Sequence, residues 1–581
     1  MTHAQLLVLG AWVVAGVALV GIGQLARRLL CGPDRERDLL GSFWIGWATL
    51  VLVLQLWHVV LPVDARASAA MAAVGIAGLV AAGAAPWARL LRGMPRDAPA
   101  WIACAALAVW LSNHALGGAR YGDTGAYYVP TVKWLREYAL VPGLGNLHPH
   151  LAFNQSYFGY VAALEVGPFV GRSFSIANGL LILAVLMQAA VAAWRLVGGR
   201  GRARAVDLFF LLMLPGLLPL ALSIFVTSPA PDVATFALGA VATAELVALA
   251  TSEPARSGQH LRQLALLVLA GLTSKLTFAG LGAGLLLVAV ALWLRRARPS
   301  PATVGWELGV VSLLAILAMG TWMARSIVMT GSPLFPSMAI ALPFDWRVRY
   351  DIETWFRTAV YAGGPSIVYR DPRWFLAQLV RLGWGAPVVL GPIVAGAVGV
   401  AIGGARRLGR AFAPARDSAL PLAIVLPPLA SLVFSAVNNP VPRYAGATFW
   451  LFAACAILFA IGDVVLSARL PVRAVATAVC LTIAAFAART EIDPLWLPLT
   501  DFEQNQQVRF EARRLETGLT LYVPVGVEAC WNAPLPCTPF PNPALRLRRD
   551  GDLASGFTID PVVDERYHYD PGAPWVHPGG R

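Results

Sequence analysis

Residues 5–28 read QLLVLGAWVVAGVALVGIGQLARR: no charged side chain falls between Gln5 and Leu25, and the pair Arg27 and Arg28 then closes the stretch. A helix rises 1.5 Å per residue, so about 20 apolar residues cross the roughly 30 Å hydrocarbon layer of a bilayer. A surface helix of a soluble protein would keep one polar face, and this stretch has none. Met1–Gln5 carries no Lys or Arg and no small-residue cleavage site follows. The reading is a membrane span and not a cleaved signal peptide.

The same pattern recurs along the 581-residue chain. Apolar runs of about 17 to 25 residues predict an all-α polytopic membrane protein with about fourteen crossings. They lie near 5–25, 40–62, 67–88, 98–116, 174–194, 206–226, 232–250, 263–280, 281–294, 304–324, 384–403, 418–437, 446–466 and 472–488. The runs 263–280 and 281–294 read equally as one broken helix, which would change the parity. Composition agrees, since 57% of residues are hydrophobic and 13% charged, about half the charge of an average soluble domain. High apolar content and the lack of a three-residue glycine period exclude disorder and a collagen-like repeat.

A net charge of +13 invites a nucleic-acid reading, which the placement of the charges removes. All but two basic residues are arginines, clustered in alternate connections: Arg27/Arg28, Arg89/Arg92, Arg200/Arg202/Arg204, Arg295/Arg296/Arg298, Arg406/Arg407/Arg410 and Arg469/Arg473. No basic stripe interleaves with aromatics on a soluble domain, so no nucleic-acid partner is expected. The positive-inside rule puts these connections in the cytoplasm and both termini outside, with membrane lipids as the partners of the basic surface. Cys31, Cys104, Cys455 and Cys480 lie in or beside apolar runs as small hydrophobes. Cys530 and Cys537 sit in a proline-rich tail with no histidine close by. There a disulfide in an oxidising compartment is favoured over a metal site. That agrees with an outer C-terminus and shares no residue with the charge rule.

The long connections all fall on the outer side: about 117–173, about 325–383, and the tail 489–581, together roughly a third of the chain. The expected organisation is an extra group of N-terminal helices (1–97), a transmembrane core (98–488) and a small outer α+β domain (489–581). Within the tail, Phe502–Arg514 reads as an amphipathic helix and Leu519–Val523 as β-prone. The tail is expected to cover an outer site or to bind an acceptor. Almost no acidic residue stands in mid-span and there is no convincing internal repeat, which speaks against a transporter path. Glu245 and Asp463 lie toward the inner span ends.

The first long connection contains Gly122-Asp123-Thr124-Gly125-Ala126-Tyr127-Tyr128-Val129-Pro130-Thr131-Val132-Lys133-Trp134-Leu135-Arg136-Glu137-Tyr138. Aromatic and apolar residues at helical spacing predict an interfacial helix over Tyr127–Tyr138. Asp123 just ahead of it is either a helix N-cap or a general base for a hydroxyl, and spacing alone leaves both open.

Asp123-Thr124-Gly125-Ala126-Tyr127-Tyr128-Val129-Pro130 resembles the first outer-loop motif of the C-type (GT-C) glycosyltransferases, Asp-Ser-Leu-x-Tyr-His-x-Pro in many members, with Tyr128 in place of the histidine. The similarity is to the bacterial branch related to protein mannosyltransferases and lipid A aminoarabinose transferases. Leu272-Thr273-Ser274-Lys275-Leu276-Thr277, the Arg325–Pro336 segment and Pro442-Arg443-Tyr444 resemble further motifs of that group, in the expected order.

The resemblance implies a GT-C-like bundle in a bacterial cytoplasmic membrane that moves a sugar from a polyprenyl-phosphate donor to a glycan, lipid or protein acceptor. Asp123 would be the base. Lys275, Arg325, Arg443 and Lys133 would bind the donor phosphate, since cations stabilise a departing phosphate. Asp232, Tyr127, Tyr128, His148 and His150 would position the acceptor or a metal. No cofactor is required by the sequence, and a divalent cation is the one candidate. Asp232 also reads as the cap of the following span, and Glu165 is a weaker acidic candidate. His148 and His150 are separated by one residue and cannot share a helix face, which weakens a metal site. Asn154-Gln155-Ser156 matches a glycosylation sequon too short to carry weight. A flippase of a lipid-linked saccharide, or a polysaccharide polymerase or ligase built on His148, His150 and an outer arginine, stand as alternatives.

Overall fold

The computed structural model describes residues 1–32, 38–94, 97–197, 204–348, 386–408, 420–438, 442–467, 471–487 and 495–567. The chain is mostly helical. α1 (His3–Cys31), α2 (Leu39–Val60) and α3 (Ala65–Ala82) form an N-terminal group, followed by a short α4 (Ala85–Gly93) and by α5 (Ala98–His114). Three short helices, α6 (Val129–Glu137), α7 (Leu144–Leu147) and α8 (Tyr157–Ala163), fill the first long connection. Then come α9 (Phe174–Val197), α10 (Ala205–Ala221), α11 (Pro231–Thr251), α12 (Ser257–Ser274), α13 (Ala279–Ala297), α14 (Pro301–Ala315) and α15 (Thr321–Thr330). Four more long helices cover Ala386–Leu408, Leu426–Asn438, Thr448–Leu466 and Val472–Ala487. Among the described residues, nine helices are long and apolar enough to cross a membrane. This suits a polytopic membrane protein. Helices lie on all the expected runs, but α10, Leu422–Asn438 and Val472–Ala485 are shorter than a full span, and α5 and α12 also fall outside the nine.

Small residues let the first helices touch backbone to backbone. A Cβ at Gly23 would fall 1.7 Å from the Ser42 carbonyl oxygen, and one at Gly46 1.8 Å from that of Leu19, so α1 and α2 leave no room for side chains there. Close packing through small residues is how helices associate in lipid, where apolar burial drives little.

Helix ends sort into two sets. At one end Arg28 donates to the Ala81 carbonyl (2.8 Å), Gln259 to that of Cys31 (3.3 Å) and Arg296 to that of Ser252 (2.7 Å), while Arg195 pairs with Asp207 (2.8 Å). These are the arginine-rich connections. The first long connection and the tail gather at the opposite end. Asn113 exchanges hydrogen bonds with the backbone of Leu497 (2.9 and 2.6 Å), and Glu503 Oε2 accepts from Gly118 N (2.7 Å).

α12 and α13 are two antiparallel helices and not one broken helix. The chain turns at Lys275, in extended conformation, and α13 returns with Gly282 against Val268. The expected helix Phe502–Arg514 is not formed. Phe510–Arg514 is strand β1, paired antiparallel with β2 (Thr520–Pro524), and β3 (Leu545–Leu547) pairs with β4 (Phe557–Ile559). A turn closed by Gly518 at φ 86 supplies the cross-strand partner that outweighs helical spacing. The exit expected at Arg325 is also displaced. α15 runs through it to Thr330 and ends at Gly331, whose left-handed φ of 80 stops the helix. The part of the second long connection over 349–385 lies outside the described residues.

Candidate active site

Asp123 precedes a π-helical turn, Thr124–Tyr128, that runs into α6. Such turns widen a helix by one residue and are frequent at functional sites. The Asp123 carboxylate makes no capping bond to the turn behind it. Its Oδ2 instead accepts from the Tyr121 hydroxyl at 2.8 Å and, at 3.4 Å each, from the Tyr128 hydroxyl and Arg443 Nη2. With 36% of its side chain exposed, it stays within reach of a ligand. The cap reading therefore fails on geometry. Burial, and after it the Asp123 charge, push the phenols of Tyr121 and Tyr127 up, so both stay protonated donors.

Asp232 is not a cap either. The N-cap of α11 is Ala230, and Asp232 sits in the first turn beyond Pro231. Proline at the first helical position brings no N–H of its own, and the helix starts two residues ahead of the place a cap at Asp232 would give it. Asp232 Oδ1 lies 2.6 Å from Lys275 Nζ, and both side chains are largely buried. Its Oδ2 is buried without a hydrogen-bond partner. The turn before α11 is held from α9: Asn178 donates to the carbonyls of Phe225 and Ala230 (3.1 Å each) and of Ser228, and accepts from the Tyr157 hydroxyl at 2.7 Å. Ser228 Oγ in turn meets Thr124 Oγ1 at 2.7 Å. The Asp123 and Asp232 segments are thus tied together.

Arg443 and Tyr444 complete the group. The Arg443 guanidinium stands 5.1 Å from the ring centres of both Tyr121 and Tyr444, and Lys275 Nζ stands 4.9 Å from the Tyr444 ring. Burial works against the Arg443 charge, but Asp232 and the surrounding phenols outweigh it and leave the group raised. Two carboxylates and two cations therefore meet around stacked tyrosines at the end of the bundle that carries the first long connection.

Other expected residues go elsewhere. Arg325 is buried and donates to Asn154 Oδ1 (2.9 Å), the Gln55 carbonyl (3.3 Å) and His58 Nδ1 (2.9 Å), away from the carboxylates. Asn154 is itself buried and donates to the Trp322 carbonyl, so the sequon is closed to modification in this fold. Lys133 reaches the tail, at 2.8 Å from the Ala533 carbonyl. Glu165 is a structural anchor for Ser173 and Arg136. His150 packs on Tyr127 (4.9 Å) and on His148 (5.1 Å). Burial depresses His150 to about 3 and lowers His148 as well. Among the described residues no three His, Cys, Asp or Glu side chains converge as a metal set. Asp123 faces Arg443, and Asp232 faces Lys275.

Three contributors escaped the sequence. Tyr121 stands outside the quoted motif, and Asn178 is a polar residue within an apolar run, itself a signal of a buried role. Trp531 lies inside the loop closed by the Cys530–Cys537 disulfide. Its backbone N–H donates to the Gly125 carbonyl (2.9 Å), and its ring covers Gly125 so closely that a Cβ there would lie 2.2 Å from it. The tail therefore lies directly on the Asp123 turn.

No curated protein and no solved structure matches the chain. The family described as Domain of unknown function (DUF8201) matches over residues 6–368, which include Asp123, Asp232 and Lys275 and stop short of Arg443 and the tail. With more than half of the 581 residues matched, the chain belongs to that family.

Proposed function

We propose that the protein is a GT-C-type glycosyltransferase of a bacterial cytoplasmic membrane, with about fourteen spans, both termini outside, and a polyprenyl-phosphate sugar as donor. The observation that carries the reading is the partly exposed Asp123 carboxylate, free of a capping bond and set beside Arg443, with Lys275 and Asp232 in the same group. Asp123 takes the proton of an acceptor hydroxyl. The freed oxygen attacks the anomeric carbon from the side opposite the phosphate, and the bond from that carbon to the phosphate oxygen breaks, so the configuration inverts. Arg443 and Lys275 hold the departing polyprenyl phosphate. Asp232 orients Lys275, and the protonated tyrosines position Asp123. An apolar groove of about 590 Å³ along the helix Leu426–Asn438, whose Phe434 packs on Gly280, would suit the isoprenoid chain.

Proteoliposomes holding the purified protein, a radiolabelled polyprenyl-phosphate sugar and a membrane extract as acceptor source test this. A transferase makes a labelled glycoconjugate and releases the lipid phosphate. Relocation of intact donor with no new glycoconjugate would favour a flippase and overturn the reading.

A further inference from the structure

A second cavity of about 340 Å³ lies between the start of α9 and the tail, outside the carboxylate group. Its size is in the range of small-ligand sites, about 300–1,000 Å³. One wall carries Arg172, Phe174 and Ser175, and the other carries Phe502, Gln504 and Gln507, with Asn532 closing one side. Arg172 stands over the Phe502 ring at 5.1 Å, which fixes both side chains. Gly171 is left-handed (φ 74), and a Cβ there would lie 3.3 Å from the Asn532 amide, so the bare backbone admits that amide to the cleft.

The cleft is bound to the Asp123 turn on both sides. Glu503 and Asn505 accept from the backbone N–H groups of Gly118 and Ala119 (2.7 and 3.0 Å), ahead of Asp123. Trp531, next to Asn532, donates to Gly125 beyond it. Those bonds occupy Glu503 and Asn505, while Gln504, Gln507 and Asn532 keep exposed carboxamides. Each carboxamide offers a donor pair and an acceptor in one plane, which matches neighbouring hydroxyls of a sugar ring. The aromatic rings beside them suit the apolar faces of the same rings. A charged ligand is not favoured, because the lining holds one acid and one base, each already engaged.

We infer that this cleft binds an uncharged oligosaccharide, the acceptor glycan whose hydroxyl Asp123 would activate. The inference rests on the transferase reading above.

Saturation-transfer NMR on the full-length protein in detergent, with a mixture of neutral hexose and N-acetylhexosamine oligosaccharides as probe, tests it. The wild type and Asp123→Asn should both transfer magnetisation to at least one oligosaccharide. Gln504→Ala/Gln507→Ala and Asn532→Ala should bind it about tenfold more weakly while unfolding at the wild-type temperature, as expected for lost hydrogen bonds to a ligand. Absence of signal for every oligosaccharide, unchanged binding by the variants, or binding of unglycosylated peptides at the cleft instead would overturn the inference. Transfer that persists in the cleft variants with unchanged acceptor KM would sink the cleft alone. Sugar binding without transfer from any polyprenyl-phosphate donor would sink the transferase reading alone.

Discussion

Lys275→Met separates structure from chemistry at the candidate site. The substitution keeps the length of the side chain and removes its charge. Asp232 would then be left largely buried, with Oδ2 already unpartnered and Oδ1 losing its contact at 2.6 Å. Removing one member of a buried ion pair costs about 3–5 kcal/mol. Because Asp232 also acts on the Arg443 charge, part of the compensation survives and the expected loss is about 3 kcal/mol, the low end of that range. Asp232→Asn/Lys275→Met removes both charges and should recover most of the loss. Thermal unfolding of the purified proteins in one detergent measures the cycle. The double variant should be folded yet inactive, since no ammonium remains to hold the departing phosphate. An unchanged unfolding temperature in Lys275→Met would refute the energetic argument, and wild-type transfer by the double variant would reduce Lys275 to a structural role.

Gly125→Ala should destabilise the docked tail by about 1–3 kcal/mol, because the added methyl would stand 2.2 Å from the Trp531 ring and force it off; faster proteolysis of the tail in the variant checks this. Asn178→Leu leaves the carbonyls of Phe225 and Ala230 and the Tyr157 hydroxyl without their partner and should cost about 3 kcal/mol, read as a lower unfolding temperature. Acid should weaken the fold through His148 and His150, whose folded-state values are depressed by burial. The unfolded chain takes up those protons near the ordinary value of about 6.5 while the folded chain does not, so stability is intact above that value and falls as pH drops below it. His150→Leu should flatten the dependence between about pH 7 and about pH 5, measured by thermal unfolding.

What the sequence disclosed follows from which forces are local. Residues 5–25 read as a span by themselves, because length and the absence of charge are what a bilayer requires, and the helix formed there is long and apolar enough to cross one. Arginine placement separated the two ends of the bundle for the same reason. The disulfide was legible from Cys530 and Cys537 in a proline-rich segment, and the structure forms it. The site was legible in part: Asp123, Asp232, Lys275 and Arg443 come together as a group. The resemblance implies a donor-phosphate role for Arg325 and Lys133, but a local motif carries no information about side-chain direction, and α15 turns Arg325 inward to Asn154. Phe502–Arg514 misled because helical spacing there competes with a strand partner downstream, which no local window contains. The cover that Trp531 forms over Gly125 joins segments far apart in sequence, and only the folded chain brings them together.

The central claim is that Asp123 is the base of a sugar transfer. Purified Asp123→Asn protein, compared with wild type for release of polyprenyl phosphate and formation of glycoconjugate from a radiolabelled donor, tests it most directly. Asparagine keeps the shape and the contacts to Tyr121 and Arg443 in outline but cannot accept a proton, so the account predicts a rate lowered by about 10²–10⁴ with donor binding retained. Transfer at the wild-type rate by Asp123→Asn would contradict it.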